Sequence, residues 1–314
     1  MTDRSRLLLE DIYAGPAALE QLLAACDSPG SPLARLFASW PALPRFVFSG
    51  LGSSRYAGLI AASDIRAAGG SAWAEYASTS APTPPAADLV FVAISASGRT
   101  ADVVNAARRH RGQSLVVAVT NDPDSALAVE ADHVLPLFAG TETAGIATRT
   151  FRATVAVLAL LAGRTPASLV PTVARLASAI DDRDRWVSAM ADSIDGSPAI
   201  DVLADAHLLG LAEQAALMLR EAPRLPATAY DTGDWLHTAV YLAIPGHRSL
   251  LFPGGTADSE VVATIERRGG AVLTMPGEVV DPDPFGRAIV ESVTAELLAA
   301  ELWRRTAAEE RQGA

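Results

Sequence analysis

The sequence predicts an α/β protein that consists of two doubly wound parallel sheets in tandem. Short apolar runs of strand length alternate with segments of helical periodicity, and this alternation occurs twice along the chain. Hydroxyl-bearing residues, asparagine or glycine follow several of the apolar runs directly. Strands that alternate with helices form parallel sheets, because each helix returns the chain to the edge where the previous strand began. The 314 residues are enough for one large domain or for two half-sized ones.

The first alternation contains five predicted strands and ends in a long apolar helix. The strands are expected, in chain order, over residues 45–49, 71–77, 89–94, 114–120 and 133–137. Helices are expected over residues 53–68, 101–109 and 148–161, and a helix over residues 8–25 precedes the first strand. Ligands of such sheets bind outside the carboxyl ends of the strands, and Ser53, Ser95 and Asn121 fall there.

The second alternation is shorter and follows a helical, polar connector. Its strands are expected over residues 207–209, 227–230, 249–252 and 271–274, and its helices over residues 212–221, 259–267 and 288–303. These elements divide the chain into four consecutive segments. They are an N-terminal helical segment (1–30), a first lobe (31–165), a helical connector (166–198) and a second lobe with a C-terminal helix (199–314).

The most informative local motif is F-V-A-I-S-A-S-G-R-T at residues 91–100. A buried strand breaks there into Ser95, Ser97, Gly98 and Thr100 at the start of a helix. Free N–H groups at a helix N-terminus, together with hydroxyls, favour an anion, and glycine allows close approach. The motif contains neither the dinucleotide fingerprint nor the Walker P-loop. From the residues alone, an ordinary capped strand-to-helix turn explains the pattern equally well.

Composition excludes several classes of function. The formal charge of −11 and the lack of a basic run predict no nucleic-acid partner. A single cysteine excludes a disulfide framework, and five scattered histidines lack ligand spacing, so no metal and no other cofactor is expected. All 25 basic residues are arginine, which excludes a lysine Schiff base. Because no apolar stretch reaches membrane-spanning length and no signal peptide is recognisable, a cytoplasmic protein without membrane contact is predicted.

Five motifs, the 91–100 stretch among them, occur in the order typical of one protein family. They are E-D-I-Y-A-G-P-A-A-L, G-L-G-S-S-R-Y-A-G, I-S-A-S-G-R-T-A-D, T-N-D-P-D-S-A-L-A and A-G-T-E-T-A-G-I-A-T-R-T-F. Through them nearly the whole chain resembles the sugar isomerase (SIS) family, in the two-lobed form seen in the isomerase half of glucosamine-6-phosphate synthase. The resemblance implies two SIS-type lobes, each an αβα sandwich with a flavodoxin-like sheet. It also implies a phosphosugar ligand and a homodimer with a shared active site.

The resemblance assigns substrate binding to the first lobe. The S-x-S-G-x-T loop of the family holds the phosphate, and the matching residues here are Ser95, Ser97, Gly98 and Thr100. The neighbouring sugar site is expected to contain Ser53, Ser54, Glu142 and Thr148. Glu142 is open to two interpretations, as a second base or as a carboxylate that holds its loop. Three usual polar residues are replaced, by Ala96, Arg99 and Ala147.

A segment of the second lobe resembles the acid–base region of the family. The family's glutamate and the histidine sixteen residues later match Glu221 and His237, within a frame formed by Ala229, Tyr230, Gly233 and Asp234. In the family, the glutamate moves a proton at C1–C2 of the open sugar, and the histidine assists ring opening, often from the neighbouring subunit. An enclosed carboxylate can be tuned to act as a base, and imidazole shuttles protons near pH 7. The lysine usual one helical turn before the glutamate is Met218.

The predicted function is that of an amino-sugar or ketose 6-phosphate enzyme of the isomerase or deaminase type, whose first step removes the C2 proton of a phosphorylated sugar next to its C1 carbonyl. The sequence contains no glutaminase segment with a cysteine nucleophile, which predicts a reaction without amide transfer from glutamine. Two alternatives stay open. One is a SIS-type lyase or dehydratase that acts at C3 of an N-acetylamino-sugar 6-phosphate, and the other is a non-catalytic phosphosugar sensor. Ala96, Ala147 and Met218 favour the sensor, whereas the Glu221–His237 frame favours an enzyme; the residues do not identify the sugar.

Overall fold

A computed structural model describes residues 4–277 and 283–312, with side chains up to residue 306, and divides the chain into two compact units. One unit contains Gly15–Thr141 and Arg149–Val173. The other contains the described part of Met1–Ala14, Glu142–Thr148 and the described part of Ala174–Ala314. Each unit has one parallel sheet, so the prediction of an α/β chain with two parallel sheets is confirmed. Both units are discontinuous in sequence.

The first sheet contains five strands, and the sequence predicted each of them to within one residue at either end. They are β1 (Arg45–Gly50), β2 (Ser71–Tyr76), β3 (Leu89–Ile94), β4 (Leu115–Thr120) and β5 (His133–Pro136). Their order across the sheet is β2-β1-β3-β4-β5, and every neighbouring pair is parallel. All six residues of β3 are buried, as is typical of a central parallel strand with both faces covered.

The second sheet contains four parallel strands. They are β6 (Ile200–Ala204), β7 (Ala227–Asp231), β8 (Arg248–Leu251) and β9 (Ala271–Thr274). Their order is β7-β6-β8-β9. In both sheets, therefore, the second strand in sequence lies on one side of the first strand and the third lies on the other.

The predicted strand over residues 207–209 is wrong. Ala206–Leu208 is a turn of 3₁₀-helix that leads directly into a longer helix, and the strand of the sheet is β6. Asp201 obscured β6 in the sequence, because a carboxylate inside an apolar run argues against a buried strand. Tertiary contacts remove this conflict: Trp235 Nε1 donates to Asp201 Oδ2 at 2.8 Å, and His247 Nε2 lies 2.9 Å from the same oxygen.

Thirteen α-helices lie in the described part of the chain. In chain order they are α1 (Arg4–Tyr13), α2 (Gly15–Asp27), α3 (Pro32–Ala38), α4 (Ser53–Ala67), α5 (Ala101–His110), α6 (Ala126–Val129), α7 (Arg149–Leu161), α8 (Pro166–Asp181), α9 (Val187–Ile194), α10 (Leu209–Glu221), α11 (Thr232–Thr238), α12 (Asp258–Arg267) and α13 (Pro284–Gln312). The single helix predicted over residues 8–25 is wrong, since it is divided into α1 and α2. Pro16 explains the break, because proline has no N–H to bond the preceding turn.

Two features of the first unit fix the position of α4 on the sheet. A Cβ added at Gly58 would lie 2.8 Å from the Cβ of Phe48, so α4 approaches β1 as closely as glycine allows. Toward the C-terminus of α4, Arg164 donates to both carboxylate oxygens of Asp64, at 2.6 and 2.8 Å. The N-terminus of α4 is therefore held at the carboxyl edge of the first sheet.

Candidate functional site

The first sheet has a topological switch between β1 and β3, because β2 lies on one side of β1 and β3 on the other. Open parallel sheets bind ligands in the crevice outside the carboxyl ends of the strands at such a point. Two segments leave the sheet here: residues 51–52, between β1 and α4, and residues 95–100, which we call the β3–α5 loop. The predicted phosphate residues and the two serines of α4 consequently lie at the same edge.

The β3–α5 loop is a tight turn that begins inside the sheet. The Ser95 N–H donates to the Val119 carbonyl at 3.1 Å, and the Gly98 N–H donates back to the Ser95 carbonyl at 3.1 Å. The hydroxyls of Ser95 and Thr100 lie 3.1 Å apart and share one hydrogen bond. Thr100 is the N-cap residue of α5, but its hydroxyl makes no capping bond. The first-turn N–H groups of α5 are therefore not satisfied by this side chain and have no acceptor within the helix.

Gly98 is required by packing as well as by backbone conformation. Its φ of +61° lies in the left-handed region, where residues with a Cβ are strained. A Cβ at this position would lie 2.0 Å from Ser125 Oγ, which is far inside van der Waals contact. The Gly98 carbonyl also accepts the Leu127 N–H at 2.9 Å. The loop is thus pressed against the start of α6, and only glycine fits.

Ser97 and Arg99 form the exposed rim of the β3–α5 loop. The Arg99 N–H donates to Ser97 Oγ at 3.2 Å, which leaves the Ser97 O–H free to donate outward. The guanidinium of Arg99 donates to Asp122 Oδ2 at 3.0 Å. The rim presents one hydroxyl donor and one cation.

Ser53 and Ser54 occupy the first turn of α4, directly after the N-cap residue Gly52. A Cβ added at Gly50 would lie 2.8 Å from the Ser54 Cβ and 3.2 Å from the Ile94 carbonyl oxygen. Since Ile94 is the last residue of β3, the N-terminus of α4 lies next to the β3–α5 loop. Two helix N-termini with their hydroxyls converge at this edge, and both favour an anion.

Glu142 and Thr148 belong to the other compact unit, where they are the two ends of the loop Glu142–Thr148. Glu142 Oε1 accepts the Thr148 N–H at 2.6 Å and the Thr148 hydroxyl at 3.0 Å. Thr148 is fully buried. This geometry favours the interpretation of Glu142 as the carboxylate that holds its loop, and it commits the Thr148 hydroxyl to a contact within the protein.

Two buried polar residues that were not predicted from the sequence also hold this loop. Asp11 in α1 accepts the Ala144 N–H at 2.9 Å, and Gln214 in α10 donates to the Ala147 carbonyl at 3.2 Å. Gln214 precedes Glu221 by seven residues, which is two turns along the same helix face. A polar side chain within the apolar stretch of α10 was the signal available for Gln214.

Glu221 is the last residue of α10, at the turn toward β7. Arg220 donates to the Ala227 carbonyl at 2.8 Å and so ties the helix end to the strand. The Glu221 carboxyl can be reached by solvent, yet the surrounding protein displaces part of its water. This desolvation raises the pKa of Glu221, and the charge of Arg220 partly opposes the rise. One turn earlier, Met218 is fully buried.

His237 lies in the last turn of α11, with its side chain exposed. The helix begins where β7 ends, and Asp231 caps it by accepting the Asp234 N–H at 2.9 Å. Trp235 anchors the helix through an indole that is fully buried. Glu221 and His237 therefore lie on the helices that precede and follow β7 in one compact unit.

Residues 4–277 and 283–306 contain neither a metal site nor a membrane-spanning helix, and their cysteine is a poor nucleophile. No group of three or more histidine, cysteine, aspartate or glutamate side chains among them is arranged to hold a metal ion. None of the helices described there is both long enough and apolar enough to cross a bilayer. Burial raises the pKa of the Cys26 thiol to about 11, so this cysteine is protonated near neutral pH and is a poor nucleophile.

Sequence comparison finds one family over the part of the chain that contains the β3–α5 loop. Residues 42–164 match the family model of the SIS domain. Over 309 residues, the chain is 30% identical to a glutamine–fructose-6-phosphate aminotransferase [isomerizing] from Aeropyrum pernix. That match covers 90% of this chain and 49% of the relative, so the chain spans about half the length of this curated relative.

Solved structures match the fold over nearly the entire chain. The C-terminal domain of glucosamine-fructose-6-phosphate aminotransferase from Francisella tularensis matches with a TM-score of 0.83 and 20% identity, covering 95% of this chain and 96% of that domain. Glucosamine-6-phosphate deaminase from Thermotoga maritima matches with a TM-score of 0.76 and 17% identity, covering 96% of this chain and 95% of the other. At these identities, the similarity establishes the fold alone.

Proposed function

The chain belongs to the SIS domain family, and on this premise we propose that it binds a sugar 6-phosphate and removes the proton at C2 of the open-chain form. The reaction is of the isomerase or deaminase type, and the substrate is an amino sugar or, in the reverse direction, a ketose, which loses a proton from C1 and gains one at C2. The observation that carries this proposal is the β3–α5 loop, where hydroxyls and uncapped helix N–H groups lie at the switch point of the sheet. The names of the relative and of the two structural neighbours, which include fructose 6-phosphate or glucosamine 6-phosphate, support this substrate class.

In the proposed complex, the β3–α5 loop holds the phosphate. Ser97 donates its free O–H, because the Arg99 N–H already occupies one lone pair of the Ser97 oxygen. Ser95 and Thr100 have one hydroxyl proton each. One of the two protons forms the hydrogen bond between the two side chains, and the other is free to donate to the ligand. The N-terminal N–H groups of α5 add donors and the positive end of the helix dipole. Ser53 lies at the neighbouring helix start, next to the position proposed for the sugar.

Glu221 is the proposed base. Removal of the C2 proton beside the C1 carbonyl leaves an enediolate, and return of a proton to C1 interconverts aldose and ketose. When C2 carries an amino group, the same transfer gives a C2 imine, which water hydrolyses with release of ammonia. The raised pKa of Glu221 supports this role, because a base with a higher pKa accepts the carbon-bound proton more readily. Glutamate can then return the proton to C1 from the same side chain.

His237 is proposed to assist opening of the sugar ring, and two copies of the chain are proposed to share each site. The exposed position of His237 at the end of α11 is compatible with contact to a substrate held by a second copy. Sedimentation and activity measured over a dilution series test this part of the proposal. A dilute monomer with full specific activity would contradict it.

The decisive experiment follows hydrogen exchange by NMR in deuterated water, at C2 of the two amino sugars and at C1 of the ketose. Fructose 6-phosphate, glucosamine 6-phosphate and N-acetylglucosamine 6-phosphate are incubated separately with the protein. Exchange with ketose–aldose conversion identifies an isomerase, ammonia release identifies a deaminase, and loss of the C3 oxygen substituent identifies the lyase alternative. Binding without any exchange identifies the sensor.

Glu221→Gln tests the proposed base directly. We expect C2 exchange to fall by about 10²- to 10⁴-fold with sugar-phosphate binding retained, because the amide cannot accept the proton. Glu266→Gln is the matched control, since Glu266 is an exposed glutamate in the last turn of α12. Exchange at the unaltered rate in Glu221→Gln would exclude Glu221 as the base.

A further inference from the structure

We propose that Arg99 makes the β3–α5 loop selective for a dianionic phosphate ester over a monoanionic ester of the same sugar. This inference rests on the proposed function, because it assigns the charge specificity of the proposed phosphate site. The hydroxyls and N–H groups of the loop carry only partial charges, so they favour two negative charges over one by a modest amount. A full positive charge beside them increases this preference, since its attraction also grows with the charge of the ligand.

The position of Arg99 is suited to this task. Its backbone N–H contacts Ser97 Oγ at 3.2 Å, so the residue is part of the loop that presents the hydroxyl. Three quarters of its side-chain surface is exposed (75%), and one guanidinium nitrogen donates to Asp122. Arginine has five N–H donors, so most of them remain accessible to a ligand at the loop.

Asp122 keeps the guanidinium beside the loop. The Asp122 N–H donates to Thr120 Oγ1 at 3.1 Å, and Asp122 Oδ1 accepts the Asp124 N–H at 3.1 Å. The carboxylate is therefore fixed by the segment that follows β4, and Arg99 reaches it across the edge of the sheet. Thr120 Oγ1 also donates to the Ala96 carbonyl at 3.2 Å, which joins this segment to the β3–α5 loop.

Arg99 is the cation of the β3–α5 loop itself, in segments that otherwise carry negative charge. Residues 95–102 and 120–125, all described by the structure, contain the carboxylates of Asp102, Asp122 and Asp124 and one cationic side chain, that of Arg99. The whole chain carries a formal charge of −11. A phosphate monoester carries close to two negative charges at neutral pH, because its second pKa is about 6. Without Arg99, a dianion at the loop would face more repulsion than a monoanion does.

The test compares glucosamine 6-phosphate with glucosamine 6-sulfate by calorimetric titration at low ionic strength. In the unaltered chain we expect the phosphate to bind more tightly than the sulfate. In Arg99→Gln we expect the dissociation constant of the phosphate to rise about three- to tenfold, with a smaller change for the sulfate. Arg109→Gln is the matched control, because it removes one exposed positive charge at the other end of α5.

Asp122→Asn separates the charge of Arg99 from any structural role of its ion pair. It breaks the ion pair but keeps Arg99, so we expect the phosphate to bind at least as tightly as to the unaltered chain. Weakening in Asp122→Asn equal to that in Arg99→Gln would overturn the inference, as would equal losses in Arg99→Gln and Arg109→Gln. If the unaltered chain binds neither ester, the proposed function and this inference both fail. If it binds the phosphate and Arg99→Gln leaves selectivity intact, only this inference fails.

Discussion

The two sheets have the same topological switch point, but the strand-to-helix loops that follow it differ in their hydrogen bonds. In the first sheet, the β3–α5 loop leaves the hydroxyls of Ser97 and Thr100 uncommitted to the helix start. In the second sheet, the corresponding loop joins β8 to α12 and comprises residues 252–257, which we call the β8–α12 loop. There Asp258 Oδ2 accepts the N–H groups of Gly254 and Gly255, at 2.7 and 2.9 Å.

Two sheets of the same topology therefore differ in one carboxylate, which closes the β8–α12 loop and has no counterpart in the β3–α5 loop, the proposed anion site. Asp258 accepts two N–H groups of the β8–α12 loop, so these donors are not available to an anion, and the charge of the carboxylate repels one. The proposed chemistry of the second unit accordingly lies elsewhere, at the ends of α10 and α11 that flank β7. Binding and proton transfer are thus assigned to non-equivalent positions of two similar sheets.

Among the substitutions in the β3–α5 loop, Gly98→Ala is expected to cause the largest loss of stability. The added methyl would meet Ser125 Oγ at 2.0 Å on a backbone with φ of +61°. Clash and strain together predict a loss of about 3 kcal/mol in the free energy of unfolding, measured by denaturant titration. Gly112→Ala is the control for strain alone, because its φ is +74° and nothing lies within 4 Å of the added atom. We expect a loss of about 1 kcal/mol there, and equal losses in both variants would contradict the packing explanation.

Ser97→Ala combined with Thr100→Ala removes the proposed donors of the first loop. We expect the dissociation constant of glucosamine 6-phosphate to rise at least about tenfold, since hydrogen bonds to a charged group are lost. The control is Thr256→Ala combined with Ser259→Ala, which removes two exposed hydroxyls around the β8–α12 turn. Unchanged affinity in the first double variant would exclude the loop as the phosphate site.

Asp258→Ala removes the carboxylate that closes the β8–α12 loop. The N–H groups of Gly254 and Gly255 lose their acceptor, and we expect a loss of about 1 kcal/mol in stability. Inorganic phosphate should then raise the melting temperature of this variant more than that of the unaltered chain. Glu260→Ala is the control, because this exposed carboxylate lies in the same helical turn. A variant that neither loses stability nor responds to phosphate would show that the carboxylate does not close this site.

The smallest expected effect concerns the pH dependence of C2 exchange. Exchange requires ionised Glu221, so its rate falls as the pH is lowered through the pKa of this group, which desolvation raises above the ordinary value. Arg220→Gln removes a charge that holds this pKa down, so the acid limb of the profile should move to higher pH. Arg267→Gln, an exposed arginine of α12, serves as the control. Superimposable profiles for Arg220→Gln and the unaltered chain would contradict this explanation.

Much of the first unit was predictable from the sequence because its signals are local. The strand β3 and the turn after it could be recognised within ten residues, and the structure places Ser95, Ser97, Gly98 and Thr100 together. The reason for Gly98 was only partly predictable. Its local turn suggested backbone freedom, whereas the clash with Ser125 depends on a segment 27 residues further along the chain.

The second unit was less predictable because its signals depend on distant partners. Asp201 sits in a buried strand only because Trp235 and His247 bind its carboxylate. Likewise, the loop Glu142–Thr148 is held by two helices that are remote from it in the sequence, through Asp11 of α1 and Gln214 of α10. No periodicity within a short window contains this information.

Local sequence patterns were sufficient to predict the parallel α/β class, most strands and helices, and the residue types proposed for anion binding and proton transfer. These features follow from side-chain periodicity and turn chemistry, which act over a few neighbouring residues. Tertiary contacts determine that the N–H groups of Gly254 and Gly255 bind Asp258 while Thr100 leaves the start of α5 without a side-chain cap, and that the Glu221 carboxyl is partly desolvated. Those outcomes depend on atoms brought together from remote parts of the chain, because burial and hydrogen bonding are properties of the packed molecule.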